Sequence, residues 1–379
     1  MPVVAPNHLL KTDEYWMARA IQLAAKGRYT TSPNPRVGCV IVKNNQSVGE
    51  GYHIQAGTPH AEVHALRCAG DNATGATAYV TLEPCSHTGR TPPCAEALVS
   101  ARVVRVVVGM TDPNPQVSGR GIARLEAAGI HVTRNVLTEQ AIKLNPGFIK
   151  RMETGLPWVR VKLASSLDGK IALANGASKW ITGAAARRDV QRFRAQSCAI
   201  ITGSGTVSSD DPSLLVRPEQ ALIEEYPLAT VRQPLRVVID SQQQLSPKRQ
   251  MFTDEHPVLL VNQCCQAGFT SKVEQLTLPL ASSGKTDLDA LLRELGARGI
   301  NEVWVEGGAG LAGAFTGAGL VDELIVYQAP KLLGDKGISM VNLPDYKQVN
   351  DAPHLKLTDV RHIAEDIRLT YQLVTDTKQ

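Results

Sequence analysis

The feature that most limits the fold is a repeated alternation of short apolar runs with amphipathic stretches. "VGCVIV" (37–42) suits a buried strand, "KNNQ" turns the chain, and "SVGEGYH" returns as its partner. "ATAYVTL" (76–82) and "VVRVVVGM" (103–110) are further strands. "TDEYWMARAIQLAAKG" (12–27) sets Met17, Ala20, Ile21 and Ala24 on one helical stripe, with Thr12 or Asp13 to cap it and Gly27 to end it. "HAEVHALRCAG" (60–70), "PPCAEALVSA" (92–101) and "GRGIARLEAAGI" (119–130) are shorter helices. Strands alternating with helices predict a layered α/β domain that ends near residue 150.

A second series starts at "PWVRVKLASSLDGKIA" (157–172). A helix at 184–196 follows, then strands at 199–203, 235–240, 257–261, 302–306 and 323–328, with a helix at 286–299. Gly and Pro punctuate "NPGFIKRMETGLP" (145–157), so domains of 1–152 and 153–379 are expected. A chain of 379 residues has the length for two. Residues 217–234 and 265–285 read as long loops, and no internal repeat is visible.

The net charge of +4 is small for this length and no long basic block occurs, so nucleic acid is not an expected partner. No apolar run approaches the roughly 20 residues of a membrane span, so no membrane is expected either. The first residues lack a basic segment followed by a long apolar one. Seven irregularly spaced cysteines predict a reducing, cytoplasmic setting. Cys39, Cys68 and Cys198 read as buried small hydrophobes, and Cys264–Cys265 suggests nothing specific.

"TPHAEVHA" (58–65) and "PCSHTGRTPPC" (84–94) carry the first candidate site. His60 and His64 have the spacing of a metalloprotease helix, but that motif needs Glu directly after the first His, and here Ala61 intervenes. Glu62 and His60 can converge only if His60 stands at the helix start, a placement Pro59 favours. One His, one Glu two positions on and a later Pro-Cys…Cys form the H-x-E…P-C…C arrangement of zinc deaminases. His60, Cys85 and Cys94 would hold one zinc ion per chain, leaving the fourth position to a water that zinc would acidify. Glu62 would carry protons from that water to the ring nitrogen and the leaving ammonia. Pro92 and Pro93 start a helix with Cys94 in its first turn, where the dipole favours a thiolate. The plain alternative leaves His64 as a helix-face residue. His87, between the cysteines, is a further possible ligand.

"TTSPNPRVGCVIV", "GYHIQAGTPHAEVHAL", "TLEPCSHTGRTPPC" and "DPNPQVSGRG" closely resemble the bifunctional deaminase/reductase family of riboflavin biosynthesis. The resemblance implies a cytidine-deaminase-like α/β/α N-terminal domain. It also implies that the long Cys85–Cys94 spacing is normal, that the loop between them borders the substrate, and that His87 is not a ligand. Asn34 matches a family position at the pyrimidine pocket; the competing reading is a turn residue between prolines.

In the second domain, glycine-rich turns follow strands in "ITGSGTV" (201–207) and "VEGGAGLAGAF" (305–315). Backbone N–H groups at such helix starts can cradle phosphate. Neither turn is a G-x-G-x-x-G followed by an acid, so a Rossmann fold is not supported. "KLASSLDGKIA", "SKWITG", "RAQSCAIITGSGTVSSDDPSLLVR", "RVVIDSQ" and "LVDELIVYQAPKLLG" resemble the reductase half of the same family. The resemblance implies a dihydrofolate-reductase-like α/β fold that uses NADPH. It places Ala164, Trp180, Thr206, Asp210, Ser241 and the loop Gly308, Ala309, Gly310, Leu311, Ala312, Gly313, Ala314 along the cofactor. It places Ser178, Arg194, Leu214, Arg217 and Glu306 on the sugar-phosphate substrate. Guanidinium forks suit a phosphate, although a single Arg is more often a solvated charge and a single Trp more often core. Glu306, Asp210 and Lys162 are candidate proton donors.

Two successive steps are implied. The first deaminates 2,5-diamino-6-ribosylamino-4(3H)-pyrimidinone 5′-phosphate, and the second reduces its ribosyl group to ribityl. The expected partner is this pyrimidine ribosyl phosphate, with a homodimer as the assembly. A nucleic-acid-editing deaminase would share the zinc motif but needs a basic groove with aromatic platforms, and aromatics are only 4% of this chain. A structural zinc module would need a fourth protein ligand, His87 or His64.

Overall fold

The structure is a computed structural model and describes residues 11–86, 93–115, 117–281 and 284–374. The chain divides into two compact units, Met1–Thr154 and Gly155–Gln379.

The first unit runs α1 (Asp13–Lys26), β1 (Gly38–Lys43), β2 (Gln46–Tyr52), α2 (Ala61–Ala69), β3 (Thr77–Val80), α3 (Cys94–Ser100), β4 (Arg105–Val108), α4 (Arg120–Ala127), β5 (His131–Thr133), α5 (Thr138–Leu144) and α6 (Pro146–Thr154). Among the described residues its sheet has the order β2-β1-β3-β4-β5. Strand alternation sends the two sets of side chains to opposite faces. Cys39, Ile41, Ala78, Val80, Val106 and Val108 pack beneath α2, α3 and α4. Val40, Val42, Tyr79 and Val107 pack beneath α1, through Trp16, Met17, Ala20 and Leu23. Thr12 caps α1 by accepting the Tyr15 N–H. The segment read as a boundary is mostly helical, since α6 starts on Pro146, where a missing N–H costs nothing.

Helix α2 lies on β2 with almost no side chain between them. A Cβ on Gly49 would fall 2.2 Å from the Ala65 carbonyl oxygen, and one on Gly51 would fall 2.5 Å from that of Ala61. Backbone therefore meets backbone, with Ala61, Ala65 and Ala69 as the helix's contact face. Cys68 is consequently turned outward and exposed, against the expectation of burial, whereas Cys39 and Cys198 are buried.

The second unit runs β6 (Trp158–Ser166), β7 (Lys170–Ala172), α7 (Ala184–Gln196), β8 (Ala199–Gly203), α8 (Ser204–Asp210), α9 (Pro218–Ala221), β9 (Leu235–Ile239), α10 (Gln250–Thr253), β10 (Val258–Asn262), β11 (Val273–Thr277), α11 (Leu288–Ala297), β12 (Glu302–Glu306), α12 (Ala309–Gly317), β13 (Glu323–Ala329), β14 (Ile338–Ser339), β15 (Leu355–Ile363) and β16 (Asp366–Leu373). The main sheet has the order β11-β10-β9-β8-β12-β6-β13-β16-β15. It is parallel from β11 to β13 and antiparallel beyond. Val159, Val161, Ile201, Val303 and Val305 pack against α11 and α12 on one face. Ile200, Val238, Trp304 and Tyr327 pack against α7 and α8 on the other. Strand β11 falls in the stretch read as a long loop, and the β15–β16 hairpin adds an antiparallel edge that periodicity did not disclose.

Candidate functional site

In the first unit, His60 is the N-cap of α2, with extended backbone (φ −77°, ψ 171°), and Glu62 lies in the first turn. The half-wound start lets two side chains of H-x-E spacing reach the same place. Cys85 follows β3, and Cys94 is the first residue of α3. The His60 Nδ1 lies 3.2 Å from the Cys94 Sγ and 3.6 Å from the Cys85 Sγ. All three ligand atoms fall within 4.8 Å of one another. Zinc bonds of roughly 2.0–2.1 Å to nitrogen and 2.3 Å to sulphur, at tetrahedral angles, put N and S about 3.5 Å apart. The donor set and its spacing fit zinc.

Helix α3 serves Cys85 more than its own Cys94. The Cys94 N–H donates to the Cys85 Sγ at 3.3 Å, and the Ala95 N–H donates to the Cys85 carbonyl at 3.1 Å. The hydrogen bond from the Cys94 thiol pulls the Cys85 thiol well below the usual thiol range, against the upward pull of burial and with help from His60. The same hydrogen bond, and then burial, push the Cys94 thiol up. Glu62 is 3% exposed and contacts the Cys94 thiol. Burial first, and then the Cys85 charge, raise its carboxyl to about 7.

Asn34 reaches this site through a residue the sequence reading passed over. His53 is buried, its ring packs edge-on to His60 at 5.1 Å, and its Nε2 lies 3.2 Å from the Asn34 Nδ2. Its Nδ1 lies 3.2 Å from the Pro59 carbonyl, which can only accept, so Nδ1 carries the proton. Nε2 then accepts from the Asn34 amide and leaves Oδ1 of Asn34 for another donor. Burial, only partly opposed by the Pro59 hydrogen bond, drops the His53 pKa to about 4 and keeps it neutral. His87 lies outside the described residues.

In the second unit, adjacent strands β8 and β12 lead to helices on opposite faces: Val207 of α8 packs on one and Phe315 of α12 on the other. Such a divergence opens a crevice at the carboxyl ends of the strands. A groove of about 2020 Å³ lies there. It is lined by Ala164, Ser178, Trp180, Arg194, Thr206, Asp210, Leu214, Arg217, Ser241, Glu306, Gly308, Gly310, Leu311, Gly313 and Ala314. Ala309 and Ala312 are buried; three residues apart on α12, they turn towards the core. Gly308 and Gly310 face open space, where a Cβ would meet nothing within 4 Å. With no side chain capping α12, its start is a bare N–H surface for a phosphate, which fits a dinucleotide such as NADPH.

Arg194 is not a free fork. Its Nε and Nη2 donate to both oxygens of Glu306 at 2.6 and 2.9 Å, and Nη1 donates to the Leu215 carbonyl at 3.2 Å. The two side chains are 13% and 12% exposed. Trp304 Nε1 also donates to Glu306, at 2.8 Å. Burial raises the Glu306 pKa, but the Arg194 charge outweighs it and holds the carboxyl at about 2. Lys162 is level with Glu306 on the neighbouring strand, and burial lowers its pKa. Arg217 lines the groove with its side chain exposed. Trp180 is 65% exposed and stacks under the Arg187 guanidinium at 4.3 Å. The Ser241 hydroxyl pairs with that of Thr286 at 2.7 Å, so Thr286 and Arg187 join the lining without a sequence signal of their own.

Comparison with known proteins finds a family model for each unit. The family model described as the cytidine and deoxycytidylate deaminase zinc-binding region matches residues 10–110, and that of the RibD C-terminal domain matches residues 157–369. The riboflavin biosynthesis protein RibD of Escherichia coli is 53% identical, over 94% of this chain and 98% of its own. That of Haemophilus influenzae is 53% identical over 95% and 97%. Among solved structures, Acinetobacter baumannii RibD superposes with a TM-score of 0.88 at 47% identity, covering 97% of this chain and 100% of that one. A Thermotoga maritima diaminohydroxyphosphoribosylaminopyrimidine deaminase/5-amino-6-(5-phosphoribosylamino)uracil reductase superposes with a TM-score of 0.84 at 34% identity, covering 96% and 99%.

Proposed function

The chain belongs to the RibD family of riboflavin biosynthesis, bifunctional in deamination and reduction, and from that premise we propose how its residues divide the two reactions. Its first unit is a zinc deaminase and its second an NADPH-dependent reductase. The observation that carries the assignment of residues is the convergence of His60, Cys85 and Cys94 beside a buried Glu62.

The substrate of the first unit is 2,5-diamino-6-ribosylamino-4(3H)-pyrimidinone 5′-phosphate. His60, Cys85 and Cys94 would hold the zinc, which would supply the Lewis acidity that readies a water for attack. Glu62 would carry that water's first proton to the ring nitrogen as the oxygen bonds to the ring carbon, and the second, from the hydroxyl so formed, to the departing amine as the C–N bond breaks. Asn34, oriented by His53, presents Oδ1 to a donor on the pyrimidine ring. The groove of the second unit then takes the deaminated product, and NADPH bound there would supply the hydride for its anomeric carbon. The α12 start and Trp180 hold the cofactor, and Arg217 takes the substrate phosphate. Arg194 positions Glu306 as a fixed negative charge. Lys162, level with Glu306 on the neighbouring strand and lining the groove, is placed to give the proton to the opening sugar.

The cytoplasm as the site of action and a homodimer as the working form complete the reading. Among the described residues no helix is long and apolar enough to cross a membrane. Leu357, Val360 and Val374 are exposed on the edge hairpin of the second unit, which favours self-association.

The test is an incubation of the purified chain with the diaminopyrimidinone phosphate, with and without NADPH. Ammonia should appear without NADPH, and NADPH should be oxidised only after deamination. No ammonia from zinc-loaded protein would end the first assignment.

A further inference from the structure

We propose that Glu83 is a positioning residue of the metal site: its carboxylate sets the place of the Cys85 sulphur by pinning the ligand loop to the start of α4. The proposal rests on the zinc reading above.

Glu83 follows β3, two residues before Cys85, and is 3% exposed. Its carboxylate is ringed by backbone donors. Oε2 accepts the N–H of Asp112 at 3.2 Å and of Gly119 at 3.0 Å. Oε1 accepts the N–H of Gly121 at 2.9 Å and of Ile122 at 3.2 Å. The Glu83 N–H donates in turn to the Met110 carbonyl at 3.0 Å. Three of these four donors belong to the "DPNPQVSGRG" segment and Ile122 directly follows it; neither reaction gives that segment a task.

Helix α4 begins after Gly119, whose φ of 76° and lack of a side chain leave its first N–H groups without a local cap. A residue from a different part of the chain does that capping, and it is the one that leads into the zinc loop. The contact is tight on both sides: a Cβ on Gly121 would fall 1.9 Å from the Pro84 carbonyl oxygen. Glu83 and Pro84 are thus clamped to α4. On its other side Cys85 is clamped to α3, through the N–H groups of Cys94 and Ala95. The ligand hangs between two helix starts, and Glu83 makes one of the two attachments. Metal sites demand ligand distances within about 0.2 Å, so loosening one attachment weakens the site without unfolding it.

The experiment strips zinc from the full-length protein and titrates it back against a chromophoric chelator. Glu83→Gln keeps the shape but turns an amide NH₂ towards backbone donors. It is expected to raise the zinc dissociation constant about 10–100-fold, the range found when a group that orients a ligand is lost. The cobalt-substituted variant should show altered thiolate-to-cobalt absorption. Leu125→Ala opens a cavity under the same helix, away from Glu83, and serves as the control for stability alone. It should bind zinc as the wild type does. Wild-type affinity in E83Q, or an equal loss in L125A at equal destabilisation, would overturn the proposal. Should E83Q fail to fold, Gly121→Ala forces the same contact apart with Glu83 intact, and wild-type affinity in folded G121A overturns it equally. The underlying zinc reading fails by a separate sign: wild type that takes up no zinc, or Cys85→Ser that binds it as well as wild type.

Discussion

Replacing Arg194 by Met tests the reductase groove most sharply, because it leaves a buried carboxylate without its fork. In the folded protein Glu306 titrates at about 2, against an ordinary 4.5. A difference of roughly 2.5 units is worth about 3 kcal/mol at 1.36 kcal/mol per unit, net of the burial that opposes it. Arg194 leads the favourable causes, ahead of Lys162 and Trp304, so its removal should cost about 3 kcal/mol or more, in the range for breaking a buried pair. The pH dependence has a definite sign. A carboxyl whose folded pKa is depressed stabilises fully above its unfolded value near 4.5, and that stability drains away as pH falls towards about 2. In R194M the Glu306 pKa rises, so this window of acid sensitivity shrinks. The assay is a double-mutant cycle of Arg194→Met and Glu306→Gln in denaturant, at neutral pH and at pH values between the two pKa values. A coupling near zero at neutral pH, or one that does not weaken with acid, would refute the reasoning.

Glu62→Gln should retain zinc by elemental analysis yet lose at least about a hundredfold in ammonia release, while oxidation of NADPH with supplied deaminated product is unchanged. Removing zinc with a chelator should have the same split outcome, reversed by adding zinc back; loss of both activities would contradict separate sites. Trp180→Ala removes an exposed ring and should shift stability by no more than about 0.5 kcal/mol, yet raise the KM for NADPH. An unchanged KM would remove Trp180 from the cofactor groove.

The parts of this molecule that were legible in advance are those written in local spacing. Helix α1 is announced by a cap, a stripe and a terminal glycine. The convergence of His60, Cys85 and Cys94 is announced by H-x-E and two cysteines, because a helix start is the one place where such a spacing converges. What stayed hidden depends on partners far apart in the chain. Arg194 and Glu306 lie 112 residues apart, so the reading of Arg194 as a phosphate fork had no view of the acid that occupies it. His53 has no motif of its own; only the fold brings it between Asn34 and His60. Strand β11 is "VEQLT", with one fully buried residue, and β15 is polar on most of its length, so neither shows the alternation that marks a strand. Cys68 was misjudged because an alanine-rich helix shows its contact face only once the opposing glycines are known.

Those glycines have a wider consequence. A helix cushioned by large side chains can slide when a neighbour changes size, and its cargo moves with it. Helix α2 has no such cushion where Gly49 and Gly51 meet it. Its height above the sheet is set by covalent dimensions, as a machinist works from a datum surface, and it carries both His60 and Glu62. Drift elsewhere in the core therefore has little leverage on the alignment of His60 with Glu62. New substrate preferences can come from the loops around the mouth, while the reacting geometry stays where the seam holds it.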